Sequence, residues 1–294
     1  MAIKQFFAEI LIDIYRNIFA RAECYRFNLA LYKLALRGMG VLNSDTAQST
    51  GEIEFLNNLR RSLYSTRKQI EVIFDVGAND HAYGIEDFPD ASVYAFEPHP
   101  KSFQRLQESS PANVEVINAA VGDQDGPVDF WDFADVAPRK SEQPTSQLAS
   151  VHKEIIEDLY HQPAKKYSVR MVALDTFAKD EGIRHIDILK IDAEGSELAV
   201  LQGAERLLKE KRIDIIQFEF NETHAYAGVL MKDFVDILKE YELFRLLPEQ
   251  MLPLGTYRPL THELFGFQNI VAIRKDLNIQ LENASTHRSF KLTE

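Results

Sequence analysis

The chain has one cysteine and one tryptophan in 294 residues. Cys24 alone excludes an internal disulfide framework, and a lone thiol fits a reducing compartment, the cytoplasm. Basic residues are scarce: 33 Lys and Arg stand against 45 Asp and Glu, a formal charge of -12, and no Lys/Arg cluster interrupts the excess. A nucleic-acid partner is therefore not expected, because a phosphate backbone would be repelled. Apolar stretches are broken by charge before reaching the roughly 20 residues a bilayer span requires, so no transmembrane segment is predicted. The first residues also lack the basic start, apolar core and small-residue cleavage site of a signal peptide.

What the chain does have is apolar bulk, 45% of its residues, enough for one large α/β domain plus a helical segment. Residues 1–70 read as a helical extension. Phe6, Phe7, Ile10, Leu11, Ile14 and Ile18 recur at helical spacing, and a second run follows at Phe27, Leu31, Leu34 and Leu36. Gly38 and Gly40 break that pattern, and a third helix is predicted over 52–69. The first stripe has three readings: packing on the domain, a homo-oligomer contact, or a peripheral membrane-surface helix. Its polar face carries Lys4, Glu9, Asp13 and Arg16, a mixed set that ranks packing or dimerisation above membrane docking.

From residue 71 strands and helices alternate, which predicts a Rossmann-like α/β domain over 71–275 with a seven-stranded, mostly parallel sheet, followed by a tail at 276–294. The predicted strands are 71–76, 92–96, 114–118, 186–191, 213–220, 242–247 and 266–273; the clearest helices are 99–109, 174–181, 196–210 and 231–241. Ser196 is placed to cap the helix after Gly195. Between residues 122 and 170, glycines and prolines among short apolar pieces predict an insertion with an extra hairpin and a mobile loop.

Two segments carry the chemistry. In Phe74-Asp75-Val76-Gly77-Ala78-Asn79 a strand ends in a carboxylate and a sharp turn, and Glu97-Pro98 ends the next strand. A pyrophosphate cofactor calls for Gly-x-Gly-x-x-Gly and no nearby negative charge, but this turn has one glycine and Asp75. An acidic turn suits the ammonium and sulfonium of S-adenosylmethionine, and Glu97 stands where a carboxylate would accept ribose hydroxyls.

The chain at this point resembles the FkbM family of methyltransferases. The resemblance rests on Phe74 to Asn79, Phe96-Glu97-Pro98, Asn118 to Gly122, Leu174-Asp175, and above all Lys190 to Glu197 within Ile186 to Ala204. It implies a class I S-adenosylmethionine-dependent methyltransferase fold, usually acting on a hydroxyl of a sugar, glycan or natural product. It assigns Asp75, Gly77 and Asn79 to the methionine end, Glu97 to the ribose, and Ala120 with its neighbours to the adenine wall, with Pro98 also in the cofactor set. The chain departs from the family at His81, where a second glycine is usual, and in a shortened segment after Asn79. That departure motivates the competing reading, a non-catalytic binding or scaffolding relative of the fold.

Methyl transfer to a neutral hydroxyl needs alignment and a base. Asp192, which also belongs to the cofactor set, and Glu219 are expected at the ends of neighbouring strands, facing one cleft. His224, in the following turn, is the leading candidate for the base. The same three residues are compatible in donor type with Mg2+ or Mn2+, although no spacing such as His-x-x-x-His supports a divalent metal. Glu194 is read as either a catalytic group or an acceptor for backbone amides, Glu197 as a first-turn charge, and Lys190 as a buried ammonium paired with Asp192 or Glu219. Trp131, Phe133, Tyr226 and Tyr257 are expected as a sugar-stacking wall.

Overall fold

A computed structural model describes residues 2–44, 46, 48–66, 69–134 and 148–277. Residues 135–147, within the 122–170 insertion for which a mobile loop is expected, and the tail beyond 277 lie outside the described residues.

Three helices come first: α1 (Ala2–Phe19), α2 (Tyr25–Gly38) and α3 (Glu52–Thr66). The strands of the main sheet are β1 (Val72–Val76), β2 (Ser92–Phe96) and β3 (Val114–Ile117), and later β7 (Ile186–Ile191), β8 (Ile213–Phe220), β9 (Tyr241–Leu246), β10 (Met251–Pro253) and β11 (Gln268–Arg274). Between them, β4 (Ala120–Val121), β5 (Gly126–Phe133) and β6 (Ala164–Val172) form a separate small sheet. The helices after the first strands are α4 (Pro100–Ser109), α5 (Leu174–Asp180), α6 (Glu197–Gln202), α7 (Glu205–Lys209), α8 (Thr223–Ala227), α9 (Met231–Ile237) and α10 (Pro259–His262).

The main sheet runs β10-β9-β11-β8-β7-β1-β2-β3. All seven strands expected from the sequence are present; the eighth, β10, is an antiparallel edge added to β9. β3, β2, β1, β7 and β8 are parallel, and β11 runs antiparallel between β8 and β9. Strand order reverses between β1 and β7, so a crevice opens at their carboxyl ends, the usual ligand position in such sheets.

Both faces of the sheet are buried, which is why β7 reads as a nearly continuous apolar run. One face carries Phe74, Leu189, Ile191, Ile216 and Phe218 against the helices that follow, with the Phe218 and Phe234 rings stacked at 4.5 Å. The other carries Ile73, Ile188, Ile215 and Val271, covered by Phe55, Leu59 and Leu63 of α3. α3 thus belongs to the core of the sheet, whereas α1 and most of α2 stand clear of it.

The extra hairpin is present as β5 and β6, paired from Gly126 opposite Met171 to Phe133 opposite Ala164. The single helix expected over 196–210 is instead two, divided at Gly203 and Ala204. Gly203 packs so closely that a Cβ there would lie 2.0 Å from the Gly122 carbonyl oxygen, and Asp175 accepts from the Arg206 and Leu207 amides to restart the helix. Ser196 makes no side-chain cap; its buried hydroxyl has no partner among the described residues.

Candidate active site

The turn after β1 is fixed by close backbone approach. Gly77 has φ +82°, and a Cβ on it would lie 1.8 Å from the carbonyl oxygen of Asp192, at the end of the neighbouring strand. Only glycine fits there. The Gly77 and Ala78 amides both donate to the Phe96 carbonyl, at 2.9 and 3.1 Å, and the Asp192 amide donates to that of Val76 at 2.9 Å. The ends of β1, β2 and β7 are thereby tied into one rim.

On that rim Glu97 accepts from the Asn79 amide through Oε2 at 2.8 Å and from the His99 amide through Oε1 at 2.7 Å. Asn79 takes φ +50°, a left-handed conformation asparagine tolerates. Burial pushes the Glu97 carboxyl up to about 7 against the lowering effect of those two amides.

The rim encloses a cavity of about 690 Å3, within the range of small-molecule sites. Gly77, Asn79, Glu97, Pro98, Ala120 and Asp192, all named above for the cofactor, line it. Its walls also carry Glu194, Glu219 and Glu222, giving five carboxylates and no lysine or arginine among the described lining residues. Burial raises Asp192 against the opposing effect of Lys190, and burial reinforced by Asp192 holds Glu194 and Glu219 well above the usual carboxylate range. About a third of the Asp192 side chain still faces open space. Two buried polar atoms of the lining residues, Asn79 Oδ1 and Ser196 Oγ, have no partner among the described residues.

Beneath the cavity lies a polar layer on the face covered by α3. Strand register sets Asp75, Lys190 and Gln217 side by side. Lys190 Nζ lies 3.2 Å from Asp192 Oδ2 and 3.9 Å from Glu52 Oε1 of α3. Gln217 donates to Glu52 and accepts from the Tyr83 hydroxyl, and the Tyr83 amide donates to Asp75 Oδ2 at 2.7 Å. Lys190 is thus paired with Asp192, as expected. Its second partner, Glu52, lies too far along the chain for spacing to reveal.

Asp75 requires a correction. It faces this underlying layer rather than the cavity, which it does not line, and burial pushes its carboxyl up to about 7. The alternation of β1 explains this: Asp75 shares a face with Ile73, not with Val76.

His224 requires another. It is fully buried and does not line the cavity. Its Nδ1 accepts from the Asn221 amide at 3.2 Å, so the ring proton sits on Nε2, which faces Glu197 Oε2 at 2.9 Å in a bent contact. With its basic nitrogen occupied by backbone, His224 holds the turn instead of serving as a base. Glu197, expected as a charge of the first turn and found there, is fully buried; it accepts from the Ala193 and Gly195 amides at 2.9 and 3.0 Å, the role considered for Glu194. Turned toward Glu197, His224 does not join Asp192 and Glu219 in a metal-ligand set. Among the described residues such a grouping occurs only at the opposite end of the sheet, at His185, Asp187 and Asp214, where Arg274 lies 2.8 Å from Asp214.

The expected aromatic wall is also redistributed. Trp131, Phe133, Tyr226 and Tyr257 do not line the cavity; Phe130 and Tyr160 do. Trp131 lies instead under Lys153 and Lys166, at 5.4 and 5.8 Å. His81 is exposed in the connection between β1 and β2, which is built of turns without a helix. Sequence reasoning had not named Leu42, Ser44 and Phe267 at this cavity; no local pattern marks them.

Residues 75–246 match the Methyltransferase FkbM domain. The 2-O-methyltransferase NoeI of Sinorhizobium fredii is 25% identical over 183 residues, 60% of this chain and 74% of that one. The hexuronic acid methyltransferase AglP of Haloferax volcanii is 26% identical over 208 residues, 67% and 76% of the two chains. The 31-O-demethyl-FK506 methyltransferase FkbM of Streptomyces tacrolimicus is 27% identical over 158 residues, 46% and 60%.

Proposed function

This chain belongs to the FkbM family of methyltransferases, and we propose that it moves a methyl group from S-adenosylmethionine to a hydroxyl of a sugar, glycan or natural product. The observation that carries the donor assignment is the acidic lining of the cavity: five carboxyl groups and no basic side chain among its described lining residues. Burial, the largest cause of the raised Asp192, Glu194 and Glu219, disfavours their charged forms, and a ligand bearing a sulfonium and an ammonium offsets that cost. A pyrophosphate would increase it. The unpartnered Asn79 Oδ1 and the side-chain-free Gly77 fit the methionine end, Glu97 the ribose hydroxyls, and Pro98 and Ala120 the adenine. When bound, the donor supplies an electrophilic methyl group.

The chain's own contribution is alignment and proton removal. Glu219 is the base in this reading: it faces the cavity from the end of β8, and burial beside Asp192 gives it a high proton affinity. Asp192, held at 3.2 Å by Lys190, is the less basic of the two and orients the reacting groups. Phe130 and Tyr160 give the acceptor an aromatic wall. The names of the three relatives support an oxygen acceptor on a sugar or natural product. We take 71–275 as the methyltransferase domain, and the lone Cys24 fits the cytoplasm.

Thermal unfolding with S-adenosylmethionine, S-adenosylhomocysteine and NAD tests the donor, since a ligand at 100 times its Kd stabilises the native state by about 2.7 kcal/mol. Stabilisation by the first two and not by NAD is expected; no shift with either adenosyl ligand overturns the assignment. Transfer of a labelled methyl group to a panel of uronic acids, oligosaccharides and macrolides then identifies the acceptor class.

A further inference from the structure

We propose that the N-terminal helical arm, α1 and α2, docks the protein on an anionic lipid surface. The two helices are joined at their bend: the Phe19 and Phe27 rings stack at 5.1 Å, and Asn28 accepts from the Tyr15 hydroxyl while donating to the Phe19 carbonyl. Among the described contacts its base meets the domain. Leu36 is buried, Arg245 donates to the Met39 carbonyl at 3.2 Å, and the Leu42 amide donates to that of Phe267 at 2.8 Å.

Beyond that base the arm is openly apolar. Of the fifteen large hydrophobic side chains exposed among the described residues, eleven lie between Ile10 and Leu34, with Leu11 and Tyr25 at 66% and Leu34 at 65% exposure. A concentration of this kind marks a surface that is covered in use. Among the described residues no helix is long and apolar enough to cross a membrane, which leaves the arm to lie on the surface.

Charge selects the occupant. Residues 1–40 carry Lys4, Arg16, Arg21, Arg26, Lys33 and Arg37 against Glu9, Asp13 and Glu23, a net +3 in a chain of net -12, which leaves -15 for the remainder. α1 alone looks mixed; the basic excess comes from α2 and the turn before it. A second copy meeting arm to arm would face +3 with +3. One meeting arm to body would find, among the described residues, Ile53, Tyr226, Leu230 and Leu260 as the exposed large apolar counterparts. An anionic bilayer interface supplies both apolar depth and negative charge, and it suits Tyr15, Tyr25 and Tyr32, whose rings are apolar and whose hydroxyls are wet. The acidic body is repelled by the same surface, so the arm alone makes contact. Leu42 and Ser44, at the foot of the arm, line the cavity, so docking holds the cavity close to the membrane.

The test is co-sedimentation of the full chain with phosphatidylcholine vesicles with and without phosphatidylglycerol, alongside light scattering in solution. Binding to the anionic vesicles, its loss at high salt, and weak binding to phosphatidylcholine alone are expected. Each basic residue near the surface is worth about fivefold, so Arg26→Gln with Lys33→Gln weakens binding about 25-fold. Leu11→Asp with Leu34→Asp abolishes binding and leaves the melting temperature unchanged, because both side chains are already exposed. No binding to anionic vesicles, or equal binding to both kinds, overturns the proposal. So does a solution dimer split by Leu11→Asp with Leu34→Asp, which would assign the arm to a second copy.

Discussion

Glu197 Oε2 and His224 Nε2 lie 2.9 Å apart, and neither side chain has appreciable contact with solvent. This contact ties the turn after β7 to the turn after β8, the two turns that carry Asp192, Glu194 and Asn221 to the cavity. Removing His224 leaves a buried carboxylate short of a partner, so His224→Ala is expected to cost about 3 kcal/mol. His224, which holds Glu197 below its ordinary value of 4.5, and the amides that bond to it also set a pH dependence. A depressed carboxylate stabilises the fold above its unfolded pKa, and that contribution is lost as pH falls below 4.5. Chemical unfolding from pH 7 to 3 should therefore show a steeper acid loss in the native chain than in Glu197→Gln.

Glu97 behaves in the opposite sense. Its carboxyl, like that of Asp75, is raised by burial to about 7, so ionising it costs stability as pH climbs from the unfolded value toward 7. Ribose hydroxyls bound to Glu97 favour its charged form, so affinity for S-adenosylhomocysteine should weaken as pH drops below about 7. Titration calorimetry from pH 5.5 to 8.5 checks this, with Glu97→Gln expected to bind at least about tenfold more weakly and with a flatter profile.

Two glycines with similar backbones separate strain from collision. Gly77 and Gly228 have φ of +82° and +71°, but a Cβ on Gly77 meets the Asp192 carbonyl at 1.8 Å, whereas Gly228 has open space. Gly228→Ala should cost only the left-handed penalty, about 1 kcal/mol. Gly77→Ala must also force β1 and β7 apart, and it should abolish donor binding in the same thermal-shift assay.

Turnover and binding separate the roles of the carboxylates. Glu219→Gln is expected to lower methyl transfer about 100-fold or more while leaving S-adenosylhomocysteine affinity near that of the native chain. Equal losses of both would move Glu219 from proton removal to donor binding.

The sheet was legible because its strands are short apolar runs bounded by turns, and β7 and β8 announce burial on both faces. β10 was not: Met251-Leu252-Pro253 has neither the length nor the alternation of a strand, and it exists because β9 offers an edge. The break between α6 and α7 depends on the Gly122 carbonyl, far back along the chain. At the site, the glycine turn, Glu97 and the Asp192–Glu219 juxtaposition followed from strand ends alone. Roles created by long-range pairing did not: the meeting of Lys190 with Glu52 and the closing of Glu197 on His224 leave no trace in local spacing. Asp75 was misread because its position at a strand end drew attention away from strand alternation, which assigns it to the opposite face.

α3 brings the apolar cover of the underside and the acidic partner of Lys190 on a single helix. Proteolytic nicks on either side of it would therefore have unequal results. A nick upstream releases the arm and spares the floor of the sheet. A nick downstream lets Phe55, Leu59 and Glu52 depart together, wetting Ile188 and Ile215 and leaving the Lys190 ammonium with Asp192 alone.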